Sequence, residues 1–303
     1  MKQQERIYYL DWLRIFAFSI LILFHSWQPF NNFHWLIKSN HTSLVADLFT
    51  VFFHTWRLYL VFFVSGVGTF FAIRFGGKQF FYDRFMRLII PYMFGSLLIV
   101  PCQYYYQSVQ AGAHSSFIHF IENYPTFIAS KNLRFDPFLW IIEIGIHLWY
   151  LASLFIITVL TYPFLKKIDR YGISEVLLQR LNKSPEWILL FTLPIVSIIM
   201  ILKPAFPEYT SITDFLTYAI FFIYGFVFMK QHDRLLPVIQ KSNSILLITG
   251  IVSSVLLVGC LLYEPLKNAA FNPAYNPYHL VVSLLLGCSA FSWTLYFVSL
   301  FSR

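Results

Sequence analysis

Apolar residues fall in eight long runs, 10–30, 51–73, 86–106, 147–165, 187–202, 212–229, 244–263 and 279–301, with polar stretches between them. A helix needs about 20 mostly apolar residues to cross the hydrocarbon of a bilayer. The pattern therefore predicts an all-α, polytopic transmembrane helical bundle of about eight spans. The fifth and sixth runs are the short ones. Stretch 44–57, with Leu44, Phe49, Phe52, Phe53 and Trp56, either begins the second span or lies along the interface. Connection 107–146 is the longest, is rich in aromatic residues and carries His114, His119 and Trp140, and it is expected to form structure over one mouth of the bundle. Segment 264–278, with Pro265, Asn268, Asn272, Pro273, Asn276 and Pro277, predicts a turn-rich loop. The first run contains Arg14 and His25 and lacks a small-residue cleavage site, so it reads as a retained helix and not as a signal peptide. No internal repeat, low-complexity tail or soluble domain interrupts the pattern, and 1–303 reads as one membrane-embedded domain.

Charge orients the bundle. With a cytoplasmic N-terminus, sixteen of the 22 Lys and Arg residues fall in inside segments. The other six, Lys38, Arg57, Lys131, Arg134, Lys203 and Lys267, fall outside. That is the bias the positive-inside rule demands. The chain is 58% hydrophobic and only 12% charged, too apolar for a water-soluble globule of this size, so the lipid bilayer is its solvent. A net charge of +8 invites a nucleic-acid reading, but the cations sit in short clusters between apolar runs and not on one face, which argues against it. Cys102, Cys260 and Cys288 have neither zinc nor disulfide spacing and read as small hydrophobes. Asn40-His41-Thr42 matches a glycosylation sequon, a triplet common by chance.

An ionisable group inside a span is costly, so each one is a candidate for function. The first span has three: Asp11, Arg14 and His25. Arg14 and His25 are eleven positions apart, which on a helix returns to within about 20° of the same face, about 16 Å further along the axis. Asp11 and Arg14, at i and i+3, can pair. Arg84 and Arg87 repeat that spacing where the third span opens, beside the point where Arg14 emerges, and three guanidiniums there suit a phosphate-rich ligand. The plainer alternatives are a snorkelling Arg14, a His25 bonded to a neighbouring helix, and two topology anchors in Arg84 and Arg87. His54, Arg57, Glu143 and His147 lie near span ends on the other side. Trp149 and Tyr150 read as interfacial belt residues, and Ser65-Gly66 as a site of close helix approach. No nucleotide-binding glycine loop, nucleophile elbow, zinc-protease motif or carboxylate dyad is present, and no metal site is expected.

Arg6-(x)3-Leu10-Asp11-Trp12-Leu13-Arg14, ten residues, then His25 resembles the N-terminal signature of the acyltransferase-3 family of bacterial membrane acyltransferases. Arg84-x-x-Arg87 followed by Leu88-Ile89-Ile90-Pro91-Tyr92 is similar to that family's second motif. His54-(x)7-Phe62-Phe63-Val64-Ser65-Gly66 and His147-Leu148-Trp149-Tyr150-Leu151 resemble its glucan-modifying branch, whose members transfer succinyl groups to periplasmic glucans. Together these motifs span residues 6 to about 165. Members usually have ten spans, whereas this pattern has eight, so the chain is either truncated at its C-terminus or a short member.

The resemblance implies an inner-membrane O-acyltransferase with no bound cofactor. It would move an acetyl or succinyl group from cytoplasmic acyl-CoA, the donor substrate, to a hydroxyl of an extracytoplasmic glycan. Arg14, Arg84 and Arg87 would then hold the CoA phosphates. His25, the expected catalytic residue together with Arg14, would serve as general base or be acylated transiently as nucleophile. Asp11, His54, Arg57, Glu143 and His147 are the remaining substrate-binding candidates. A small-molecule transporter using the same intramembrane His and Arg is the alternative, although the paired repeats common in transporters are missing. A non-catalytic scaffold would have no need of buried Arg14 and His25.

Overall fold

The structure, a computed structural model, describes residues 7–73, 77–131, 137–171 and 174–303. Lys2, Arg6, Arg74 and Arg134 of the charge pattern lie outside these residues. Of the chain, 83% is helical, with no strand among the described residues, which makes the fold all-α. Eight helical stretches are long and apolar enough to cross a membrane: Tyr8–Phe30, Leu44–Ala72, Gly77–Gln110, Phe138–Arg170, Pro185–Leu202, Ile212–Lys230, Asn243–Cys260 and Pro277–Phe301. Each matches one apolar run of the sequence. Below they are spans 1 to 8, and the side on which span 1 begins is called the near face.

Spans 2 and 6 cross at the centre. A Cβ on Gly66 would overlap the main chain of Phe222, and one on Gly225 would overlap the main chain of Phe63. The two glycines thus let the backbones touch at two reciprocal points. Around the crossing, Phe62, Phe63, Phe221, Phe222 and Phe226 are fully buried. Ser65-Gly66 is therefore the packing element its sequence suggested. Ile22, Leu97, Leu160, Ile248 and Val255 turn outward, as lipid-facing positions should.

Two connections depart from the sequence pattern. Glu264–Phe271 is a helix and not a turn-rich loop. Pro265 sits in its first turn, where a missing N–H costs nothing, and Lys267 pairs with Glu264 at 2.9 Å. Within 107–146, Phe117–Ala129 forms a helix whose Ser116 hydroxyl accepts the His119 N–H, and the helix Pro137–Gly145 is already the opening of span 4. Stretch 44–57 proves to be a helix, Leu44–His54, continued after a break by Arg57–Ala72.

The breaks position the polar residues. Span 2 interrupts at Thr55-Trp56, between His54 and Arg57. The Thr55 hydroxyl donates to Phe52 O at 2.8 Å and accepts from Ser289 of span 8 at 2.9 Å. Span 4 tightens to a 3₁₀ turn at Ile146–Leu148, and Ile146 takes φ 43°. A β-branched residue with positive φ is strained and persists only where its surroundings enforce it. Here span 3 does so, because Tyr92 donates to Ile141 O at 2.9 Å and its ring fills the space a Cβ on Gly145 would need. Span 3 carries a π-helical turn at Phe85–Ile89, which contains Arg87. Thr210, before span 6, also holds positive φ, at 61°. Three of the four irregularities place a candidate residue, and the fourth follows Tyr209.

Candidate active site

Away from the near face, the span ends enclose a cluster of histidines. His25 projects from the last turns of span 1, and His147 from the 3₁₀ turn of span 4. Their ring centroids are 4.7 Å apart. Trp35 covers both rings, at 5.7 Å from His25 and stacked on His147 at 5.1 Å. His25 Nδ1 is buried and has no hydrogen-bond partner. Phe24, next along span 1, lies under the Arg57 guanidinium, whose Cζ is 3.3 Å from the ring centroid. Arg57 Nη1 is 3.4 Å from His54 Nδ1, and the His54 ring packs on Tyr209 at 5.3 Å.

Arg57 is only 3% exposed, and no carboxylate pairs with it among the described residues. Its polar neighbours are His54 and the hydroxyl groups of Tyr209, Tyr218 and Tyr59. A desolvated guanidinium without a counter-ion is a strong binding element for an incoming anion. His54 and Tyr209, which pack against this charge, both keep accessible surface, whereas the guanidinium itself is buried. No group of His, Cys, Asp and Glu among the described residues is arranged to hold a metal ion.

A second polar group sits at the near face. Arg84 Nη2 donates to the Thr69 hydroxyl at 2.7 Å, and Arg14 reaches the same stretch of span 2, its Nη2 next to Gly68. Arg14 and Arg87 both act electrostatically on Arg84, so the three guanidiniums form one cluster. From it an aromatic bridge leads sideways, with Arg84 5.5 Å from the Phe80 ring, Phe80 stacked on Tyr162 at 5.5 Å, and Lys166 Nζ 5.2 Å from Tyr162. Lys166, Lys167, Asp169 and Arg170 line an open groove of about 620 Å³ there, with Asp169 neutralised by Lys230 at 2.9 Å.

The structure thus divides the sequence candidates. It joins His25, His54, Arg57 and His147 at one end of span 1, and Arg14, Arg84 and Arg87 at the other. Arg14 belongs with the arginines and not beside His25. His25 lies nearer the far end of span 1 than its middle. Asp11 is half-buried in the first turn of that span. Glu143 turns away from His147, pairing with Lys131 at 2.6 Å and accepting from the Tyr104 hydroxyl at 2.8 Å. Trp149 is not a belt residue, since it is buried and packs on Tyr209 and Tyr218. Trp35, Thr69 and Tyr209 had no sequence signal. Trp35 and Tyr209 lie in aperiodic connections, and Thr69 is one hydroxyl in an apolar run.

Eight apolar helices, with histidines and a buried guanidinium gathered between spans 1, 2 and 4, define a polytopic membrane protein with a polar centre. The family model described as an acyltransferase domain matches residues 7–303, and the chain belongs to this acyltransferase-3 family of membrane acyltransferases. It is 28% identical over 166 residues to the glucans biosynthesis protein C of Escherichia coli K12, and equally to those of strains SMS-3-5 and O6:K15:H31. The match covers 54% of this chain and 40% of each of these relatives, so the chain spans less than half their length. No solved structure matches it.

Proposed function

We propose that this chain moves an acyl group from acyl-CoA in the cytoplasm to a hydroxyl of a glycan outside the bacterial inner membrane, with its N-terminus in the cytoplasm. The observation that carries this is the pairing of two polar groups along span 1: an arginine cluster at the near end, and His25 with its partners about 16 Å further along the axis. That separation suits a donor with phosphates at one end and a thioester at the end of an extended pantetheine arm. Arg14, Arg84 and Arg87 hold the phosphates, and the basic groove beside Lys166 takes the nucleotide end. The thioester reaches His25, and the acceptor hydroxyl enters from the far side.

A ring nitrogen of His25 accepts the proton of the acceptor hydroxyl while its oxygen adds to the thioester carbonyl carbon. The C–S bond then breaks, and the CoA thiolate takes the proton back from the imidazolium. His147 and Trp35 pack against the His25 ring, with centroids 4.7 and 5.7 Å away, and hold it in place. The relatives' name points to a glucan acceptor, and the acyl group of this proposal is acetyl or succinyl. The test is transfer of isotope-labelled acyl groups from acyl-CoA to periplasmic glucan by inside-out vesicles holding the protein. Labelled glucan inside the vesicles supports the reading, whereas acyl-CoA consumption without labelled glycan, or solute flux without acyl transfer, contradicts it. A reporter fused after Lys183 should be cytoplasmic, and an external signal there would put the arginines on the wrong side.

A further inference from the structure

The connection between spans 5 and 6 reaches the histidine cluster through Tyr209, whose ring packs on His54. Asp214, in the first turn of span 6, accepts from Lys203 Nζ at 2.9 Å and from the Thr210 N–H at 2.8 Å. Lys203 also donates to Glu208 O at 3.1 Å, and the Ser211 hydroxyl donates to Phe206 O at 2.8 Å. Both charges of the ion pair are mostly buried, with side-chain exposures of 21% and 14%. These bonds close the loop on itself and hold Thr210 at φ 61°, a conformation costly for threonine. The turn at Thr210 points Tyr209 inward. Its ring packs on His54 at 5.3 Å and on Trp149 at 6.2 Å, and its hydroxyl faces the Arg57 guanidinium. Tyr209 still keeps 39% of its surface accessible, although its ring packs on His54 and Trp149.

We propose that Tyr209 is a further catalytic residue of this centre, its hydroxyl and the Arg57 guanidinium together holding the oxyanion formed on the acyl carbonyl, and that Lys203 and Asp214 are positioning residues that fix it. The proposal rests on acyl transfer at His25. When the acceptor oxygen adds to the carbonyl carbon, the π electrons move onto the carbonyl oxygen. That oxygen then needs fixed donors in a site shielded from water, where they are worth most. Arg57 supplies a full charge without a competing carboxylate. Tyr209 supplies an O–H, and burial, the largest influence, pushes its phenol above the ordinary value despite the adjacent Arg57, so it stays protonated at neutral pH. On collapse the negative charge leaves with the CoA thiolate, and both donors return to their resting state.

The test is steady-state kinetics of the purified full chain in nanodiscs, with acyl-CoA and a soluble glucan. Loss of one oxyanion donor costs about 10²- to 10³-fold in kcat. Tyr209→Phe should show a loss of that size with the donor KM within about threefold, because the phosphate cluster lies at the opposite face. Tyr209→His, which restores a ring N–H, should recover part of kcat. Asp214→Asn frees the latch, and since small misplacements of a reacting group cost up to about 10²-fold, it should lower kcat without adding to Tyr209→Phe in the double variant. Wild-type kcat in Tyr209→Phe would overturn this proposal and leave the acyltransferase reading intact, whereas no wild-type turnover would overturn both. If Tyr209→Phe does not accumulate in the membrane, Asp214→Asn decides, and an unchanged kcat there would overturn the proposal.

Discussion

Arg57 offers a direct way to separate function from stability. It is 3% exposed, its Nε has no partner, and no carboxylate neutralises it among the described residues. An unsatisfied buried donor costs about 1–3 kcal/mol. Retaining a charge away from water costs several kcal/mol more even after relaxation. Against this stand the Phe24 ring at 3.3 Å, worth about 2 kcal/mol when desolvated, the Tyr209 hydroxyl beside the guanidinium, and a long contact of 3.4 Å to His54 that adds little. Methionine replaces the aliphatic stem of the side chain as far as Nε, buries no charge and packs favourably on an aromatic ring. Arg57→Met should therefore leave stability unchanged or raise it by about 1–4 kcal/mol, the range seen when buried ions give way to apolar groups of similar size. Acyl transfer should fall at least about 10²-fold, as for loss of an oxyanion donor. Thermal unfolding in nanodiscs, paired with turnover per folded molecule, measures both. A variant that unfolded well below wild type while its folded fraction still turned over normally would show Arg57 to be a structural strut instead.

Two further outcomes follow from the packing. Thr69 is fully buried and its hydroxyl receives Arg84 Nη2 at 2.7 Å. A hydrogen bond to a charged group is worth about 1.5–3 kcal/mol, so Thr69→Val should raise the donor KM about tenfold or more with kcat held, and an unchanged KM would detach this arginine from donor binding. Gly225→Ala drives a methyl into the main chain of Phe63. Overpacking of this kind costs about 1–3 kcal/mol, read as a lower midpoint of thermal unfolding, and wild-type stability would mean that spans 2 and 6 do not touch as described.

The sequence carries the spans because eight runs of about 20 apolar residues leave the chain no other solvent, and each run forms the body of one helical stretch, although the second, third and fourth stretches begin seven to nine residues ahead of their runs. His25, His54, Arg57 and His147 were legible for the same reason, since each is a costly polar group in or beside an apolar run. Their convergence was not, because it depends on how spans 1, 2 and 4 pack. Helix periodicity put Arg14 and His25 on one stripe but could not show which neighbours each end meets. Glu143 looked like a partner for His147 on sequence proximity, yet the strained turn at Ile146 separates them and sends the carboxylate to Lys131. Tyr209 was hidden because its position follows from the Lys203–Asp214 pair, eleven residues apart across a loop with no periodic signal. The Glu264–Phe271 helix was missed because Pro and Asn read as turn formers, although Pro in a first turn starts a helix well.

His25 is the residue on which the account turns, and His25→Gln tests it most directly. Glutamine is close in size and keeps hydrogen bonding but has no useful basicity. Loss of a general base costs about 10²- to 10⁴-fold. Measured as acyl transfer from acyl-CoA per folded protein in nanodiscs, the variant should fall by that factor while donor binding and unfolding temperature stay at wild-type values. Retention of most of the transfer activity would contradict the account and return the search for the base to His54 or His147.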